Sequence, residues 1–291
     1  MDRVLSNKKA ILLFTLPAFL LYAVIVLLPV FISFYYSLLK WDGIGAGAFI
    51  GFDNYLTMFR NDHIFTQSLW NSIILAVLSV FVQLPISLAL ALVLASSVKG
   101  SRFYRSVYFI PVVMSTVVIG QLWLKIYHPS FGLLNQLLGD IGLASWQREW
   151  LGSETTALVA SFVPIVWQYI GYHMLLLYAS AKSIPDDLYE AARIDGATGV
   201  KSAFFITIPL IKPMLKLSTI FAVIGSLKMF DFIYVLTNGG PLHATEVPST
   251  WMFSNIFKQY QYGYGSAVAI LIILECLLFT VLIQKMFKTD D

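Results

Sequence analysis

The sequence predicts an all-α membrane protein of six transmembrane helices, with one short helix held outside the membrane on the cytoplasmic side. Three observations carry that expectation. Of 291 residues, 58% are hydrophobic and only 12% are charged, where an ordinary soluble domain carries about 25% charged residues. The mean hydropathy of +0.77 is far above what a water-facing surface permits. The few charges fall in clusters between long apolar runs. Together these exclude a soluble enzyme, a secreted disulfide scaffold and a disordered chain. A single cysteine, Cys276, cannot close an internal disulfide, and a net charge of +3 is too small to argue for a nucleic-acid partner.

A helix needs about 20 mostly apolar residues to cross the hydrocarbon core. A first span of about 10–39 follows the basic residues Arg3, Lys8 and Lys9 and contains no charge. Its apolar run is about twice the length of a signal-peptide core and no small-residue cleavage site follows, so it is expected to be retained. Phe34, Tyr35, Tyr36 and Trp41 read as an interfacial aromatic belt. Further spans are expected at about 70–97, 106–124, 155–181, 214–237 and 264–284. Lys228 and Asp231 interrupt the fifth and Glu275 the sixth. Pro17, Pro29, Pro85, Pro111 and Pro164 are tolerated where neighbouring helices re-satisfy the backbone. Residues 10–287 thus form one membrane domain, between short ends at 1–9 and 288–291.

Lys and Arg placement sets the orientation. With six spans, both ends lie on one side. That side gathers Arg3, Lys8, Lys9, Lys99, Arg102, Arg105, Lys182, Arg193, Lys201, Lys212, Lys216, Lys285 and Lys288. The other side holds Lys40, Arg60, Lys125, Arg148 and Lys258. The bias puts both termini in the cytoplasm, and losing one span would scramble it.

The loop at 182–213, between the fourth and fifth spans, has internal organisation. Pro185 suits the first helical position, where its missing N–H costs nothing. Asp186 and Asp187 then sit in the first turn, where the helix dipole favours negative charge. Gly196 is placed to end the helix in a left-handed conformation. The resulting helix of two to three turns is too short to be stable alone and must pack on something. Ala191 and Ala192 allow close approach, Leu188 and Ile194 offer apolar contacts, and Glu190, Arg193 and Asp195 can pair with charges on a partner. A second short segment runs from Val200 to Ile208 and stops at Pro209. From the residues alone, a docking helix and a structured connecting loop are both adequate readings.

The spacing Glu190-Ala191-Ala192, three residues, Gly196, nine residues, Ile206-Thr207-Ile208-Pro209 resembles the EAA loop of ABC-importer permeases, with Ile208 where Leu is usual. Ala181-Lys182-Ser183-Ile184-Pro185 before it, and Phe230-Asp231-Phe232-Ile233-Tyr234-Val235-Leu236-Thr237-Asn238-Gly239-Gly240-Pro241 after it, resemble the carbohydrate-uptake subgroup. They are similar to the maltose-type and glycerol-phosphate-type permeases, in particular the larger, first subunit of their heterodimers. The similarity covers roughly Asn54 to Met286.

The resemblance implies a type I ABC importer permease fold, with Asp187, Leu188, Glu190, Ala191, Ala192, Arg193, Asp195 and Gly196 in a coupling helix that docks on an ATPase. It implies a substrate site in mid-membrane at Gln168, Tyr169, Tyr172, Gly225, Ser226 and Met229. The implied partners are a second homologous permease, two ATP-binding subunits, an extracytoplasmic substrate-binding protein and membrane lipid, with no nucleic acid. The implied location is a bacterial or archaeal cytoplasmic membrane. ATP and Mg would sit on the partner ATPases, this chain binding no cofactor. The implied function is ATP-driven, alternating-access uptake of a sugar or oligosaccharide. A polyol or glycerol-phosphate compound is the alternative cargo, and a passive channel the alternative class.

Ionisable groups at membrane depth usually face a bundle interior or an aqueous cavity. Lys228 and Asp231, three apart, read either as an ion pair on one helix face or as part of a translocation path. Trp167, Gln168, Tyr169, Tyr172 and His173 on the fourth span read either as interface markers or as the planar polar and aromatic groups that bind sugars. Glu275 is expected to meet a polar group in a partner helix, and Gln83 and Gln121 to bond between helices. No catalytic motif is present. Gly196-Ala197-Thr198-Gly199-Val200-Lys201-Ser202 lacks the phosphate-loop spacing because Val200 separates Gly199 from Lys201, and no strand precedes it. There is no H-E-x-x-H and no G-x-S-x-G. His63, His128, His173 and His243 are scattered without metal-ligand spacing. Asn238-Gly239-Gly240-Pro241 signals a turn on the outer side, and the outer loops are too short to hold a large domain.

Overall fold

The structure, a computed structural model, describes residues 8–96 and 98–287. Arg3, Ser97 and Lys288, and most of the expected terminal segments 1–9 and 288–291, lie outside the described residues. Five helical stretches are long and apolar enough to cross a membrane: Ile11–Ser37, His63–Ala95, Glu154–Lys182, Lys212–Leu236 and Tyr262–Met286. A sixth is a bent pair, Ser101–Val113 and Thr116–Ile126. The chain divides into two compact units, Met1–Asp62 with Met252–Ile273, and His63–Trp251 with Leu274–Asp291.

In the first unit, the span Ile11–Ser37 has none of its apolar window buried. Strands Leu39–Lys40 and Ala48–Phe49 pair antiparallel beyond it, in the register Leu39 to Phe49. Helix Asp53–Arg60 is fixed to them by Asn54, whose Nδ2 donates to the Ser37 and Leu39 carbonyls at 2.7 and 2.9 Å. A Cβ at Gly263 would overlap the Leu39 carbonyl oxygen, so only glycine allows this approach. The Tyr264 hydroxyl donates to Asp62.

In the second unit, Glu154–Lys182 is the central helix and carries a long run of buried residues from Ala157 to Ala181. Gly171 touches Tyr108 so closely that a Cβ would overlap its carbonyl oxygen. Toward the expected outer side, Leu75, Ile119, Phe162, Ile165, Phe232 and Ile233 form one apolar core. Toward the loop at 182–213, Ala91, Leu94, Met174, Leu177 and Ile211 form another.

Two spans differ from the continuous helices expected. The third, read as one run over 106–124, is two helices that meet at 96°. Met114 and Ser115 are extended between them, with ψ of 147° and 134°. Pro111 withholds the N–H its turn needs, and the side chain of Gln168 donates to the carbonyls of Pro111 and Met114 at 3.0 and 3.4 Å. The fifth, expected over 214–237, stops at Leu227 and restarts at Asp231. The break follows the adjacent Gly225 and Ser226, a pair that commonly bends helices. Lys228 and Asp231 are therefore not on one continuous helix, and among the described residues no ion pair joins them.

Candidate functional site

The broken fifth span lines a cavity of about 350 Å³ between the second, fourth and fifth spans. Irregular backbone at membrane depth is tolerated where it lines such a cavity. Of the residues expected on a substrate path, Tyr169, Tyr172, Gly225, Ser226, Lys228, Met229 and Asp231 are in its wall. Gln168 is not. It is buried and its amide holds the bend of the third span. Lys228 and Asp231 are both exposed, on either side of the helix break. Tyr169 packs against the outer apolar core.

The wall also includes Ser79 and Gln83, which the substrate-path expectation did not contain, and His173, read from the sequence only among the fourth-span groups of interface or sugar-binding type. The Ser79 and Ser226 hydroxyls lie 2.9 Å apart and join the second span to the fifth. Ser79–Gln83 is a π-helical turn that ends two residues before Pro85. Widening the helix by one residue accommodates the proline and turns a polar stripe inward. The signal for this was Pro85 beside Gln83 in an otherwise apolar run.

The loop at 182–213 forms the expected short helix, Asp186–Ile194. Pro185 caps it from outside, with ψ of 138°, one position earlier than expected. Asp186 and Asp187 occupy the first turn. Gly196 ends it at φ +77°. The Gly196 N–H donates to the Arg193 carbonyl at 3.1 Å and the Ala197 N–H to the Ala192 carbonyl at 2.8 Å, the bond pair of a Schellman motif. Ala192 is buried and anchors the helix, while Ala191, Asp187, Glu190, Arg193 and Asp195 are exposed. The Tyr189 hydroxyl reaches Thr207 Oγ1 at 3.1 Å, tying the helix to the segment that follows. Leu188, Ile194, Val200, Phe204 and Phe205 present apolar surface that this chain leaves open, with Ile194 88% exposed.

On the opposite end of the same unit, the loop after Leu236 is tightly folded. Asn71 Nδ2 donates to the carbonyls of Ala244 and Glu246 at 3.0 and 2.8 Å. The buried Glu246 carboxylate lies under Gly239, takes a bond from Thr250, and meets His243 Nδ1 at 3.2 Å. These contacts hold Asn238, Leu242 and His243 at positive φ and leave Leu242 80% exposed at the tip.

Comparison with known proteins agrees with this architecture. A family model described as the binding-protein-dependent transport system inner membrane component matches residues 9–289. The chain is 39% identical over 287 residues to the probable ABC transporter permease protein YurN of Bacillus subtilis, covering 98% of each. It is 35% identical to the trehalose/maltose transport system permease protein MalF of Thermococcus litoralis, over 100% of both chains. It is 31% identical to the diacetylchitobiose uptake system permease protein NgcF of Streptomyces coelicolor, over 90% of this chain and 78% of that one. Among solved structures, the fold matches a bacterial ABC transporter that imports the acidic polysaccharide alginate, with a TM-score of 0.82 at 22% identity over 99% and 98% of the two chains. That transporter has also been crystallised with an alginate pentasaccharide-bound periplasmic protein. A broken fifth span lining a membrane-depth cavity, a short helix in the EAA spacing, and a family match over nearly the whole length agree: this chain belongs to the binding-protein-dependent transport system inner membrane components, the permease subunits of ABC importers, and has their type I fold.

Proposed function

We propose that the chain carries a sugar or short oligosaccharide through the cavity between its second, fourth and fifth spans, driven by ATPases that are separate chains. The observation that supports this most is the helix Asp186–Ile194. It is closed by the Schellman motif at Gly196, anchored by Ala192, and exposes Glu190, Arg193 and Asp195. A helix so short needs a partner to bind, and a passive channel has no use for one. Two partner ATPases closing on ATP would move this helix as a rigid body. The motion would open the cavity outward, and hydrolysis would reset it inward. Differential contact of the helix with the closed and open ATPases supplies the bias.

A second, homologous permease is proposed to complete the pore. The first span, whose apolar window has no buried residue, and the open face of the cavity are consistent with a neighbour in the membrane. An extracytoplasmic binding protein would deliver the cargo to the rigid outer loop at Leu242, as expected for outer loops too short to bind it themselves. The Lys and Arg bias supports a topology with both termini in the cytoplasm. The carbohydrate cargo rests on relatives whose names specify trehalose, maltose and diacetylchitobiose.

The test is Glu190→Ala in the assembled importer, reading ATP-driven uptake and ATP hydrolysis together. Uptake is expected to be lost while the variant still inserts and the ATPases still hydrolyse ATP. Normal transport by Glu190→Ala would sink the coupling role.

A further inference from the structure

His173 is 2% exposed and lines the cavity of about 350 Å³. Among the described residues, neither ring nitrogen has a hydrogen-bond partner in the chain, and Nδ1 is sealed from the exterior as well. Leaving a buried polar group without a partner costs about 1–3 kcal/mol, and groups left so ask for an explanation. The ring packs edge-on to Tyr172, centroids 5.1 Å apart. An orphaned N–H is worse than an orphaned lone pair. The favoured tautomer therefore leaves Nδ1 bare and places the proton on Nε2, the ring nitrogen that is not sealed.

The rest of the wall has a mixed character. Gln83, 2% exposed, supplies a donor and an acceptor in one group. Tyr169 and Tyr172 supply hydroxyls, and Lys228 and Asp231 supply opposite charges that are not spent on each other. A site for an anion would be dominated by donors and cations. A sugar hydroxyl both donates and accepts, and a wall of both kinds satisfies it. A carboxylate or phosphate on the cargo would gain from Lys228 and lose against Asp231. The volume lies near the small end of the range of about 300–1,000 Å³ typical of ligand sites.

We propose that His173 and Gln83 are cargo-contacting, specificity-determining residues, with His173 Nε2–H donating to a cargo hydroxyl, and that the site selects a neutral, hydroxyl-rich saccharide over an acidic one. The proposal rests on the cargo path argued above and adds to it the residues that read the cargo and the class of cargo read.

The test uses the assembled importer in proteoliposomes with its binding protein. The probes are labelled maltose, trehalose and diacetylchitobiose as neutral sugars, and galacturonate as the acidic one. A neutral probe is expected to be taken up and to be displaced poorly by galacturonate. His173→Leu should raise the half-saturating concentration about tenfold, the effect of one lost hydrogen bond to a buried group. His173→Gln, which restores a polar group near the Nε2 position, should return it to within about threefold. Basal ATP hydrolysis and subunit recovery should not change, which separates a lost contact from a misfolded chain. Uptake that favours galacturonate overturns the neutral class. A His173→Leu importer with wild-type half-saturation overturns the role of His173. A wild-type chain that purifies without an ATPase overturns this inference together with the importer reading beneath it.

Discussion

At the scale of single residues, Gln168 and Gly171 show how function and packing divide along one helix. They sit one turn apart on the fourth span, beside Tyr169 and Tyr172, which face the cavity. Gln168 bonds the carbonyls where the third span turns, and Gly171 admits the Tyr108 carbonyl. Gln168→Leu leaves those carbonyls without their donor at depth and is expected to cost about 1–3 kcal/mol of stability. It should lower the midpoint of thermal aggregation of the detergent-purified complex, with little change in half-saturation for any cargo the variant still carries. Gly171→Ala places a methyl against backbone that cannot yield, with an expected cost of about 1–3 kcal/mol in the same assay. An unchanged midpoint for both would mean that the contacts of the fourth span with the third are not what holds the bend.

At the scale of elements, the recurring device is a proline two residues after a π-helical turn. Among the described residues it occurs at Ala23–Leu27 before Pro29, at Ser79–Gln83 before Pro85 and at Ala203–Thr207 before Pro209. Each proline removes a donor and crowds the carbonyl four residues earlier, and the widened turn relieves both. The second places Ser79 and Gln83 in the cavity wall. Pro85→Ala restores the donor and lets the turn tighten, which rotates this pair away. The expected outcome is weaker cargo binding, read as a higher half-saturating concentration, with normal insertion and normal basal ATP hydrolysis. The helix Asp186–Ile194 makes the complementary case. Gly196 has open space around its Cα, so Gly196→Ala meets no steric clash, only the strain of φ +77°. A cost of about 1 kcal/mol at the helix end is expected. It should appear as weaker retention of the ATPase on purification rather than as loss of the permease from the membrane.

At the scale of the whole molecule, the Lys and Arg distribution predicts a sidedness that labelling can read directly. Cys276 is the only cysteine, so a Cys276→Ser background is free of native thiols. In it, Leu242→Cys should react with a membrane-impermeant maleimide on intact cells. Val200→Cys, also highly exposed, should react only after permeabilisation. The reverse pattern would invert the topology and remove the coupling helix from the side where ATP is found.

The sequence by itself determined the membrane class, the number of apolar runs and the short helix Asp186–Ile194 ended by Gly196, because each rests on local rules. Apolar length sets a span, charge bias sets its direction, and Pro, Asp and Gly at fixed offsets set a short helix. It also named Tyr172, Ser226, Lys228 and Asp231 as groups to watch. Only the tertiary structure decided where two spans break, since Pro111 is tolerated or disruptive according to what Gln168, 57 residues away, offers its carbonyl. Only the tertiary structure separated Gln168 from the cavity and put Gln83 and His173 into it. Which side of an apolar helix a lone polar residue faces depends on the widened turn before Pro85 and on the close approach at Gly171. Those are properties of helices in contact, and no single segment encodes them.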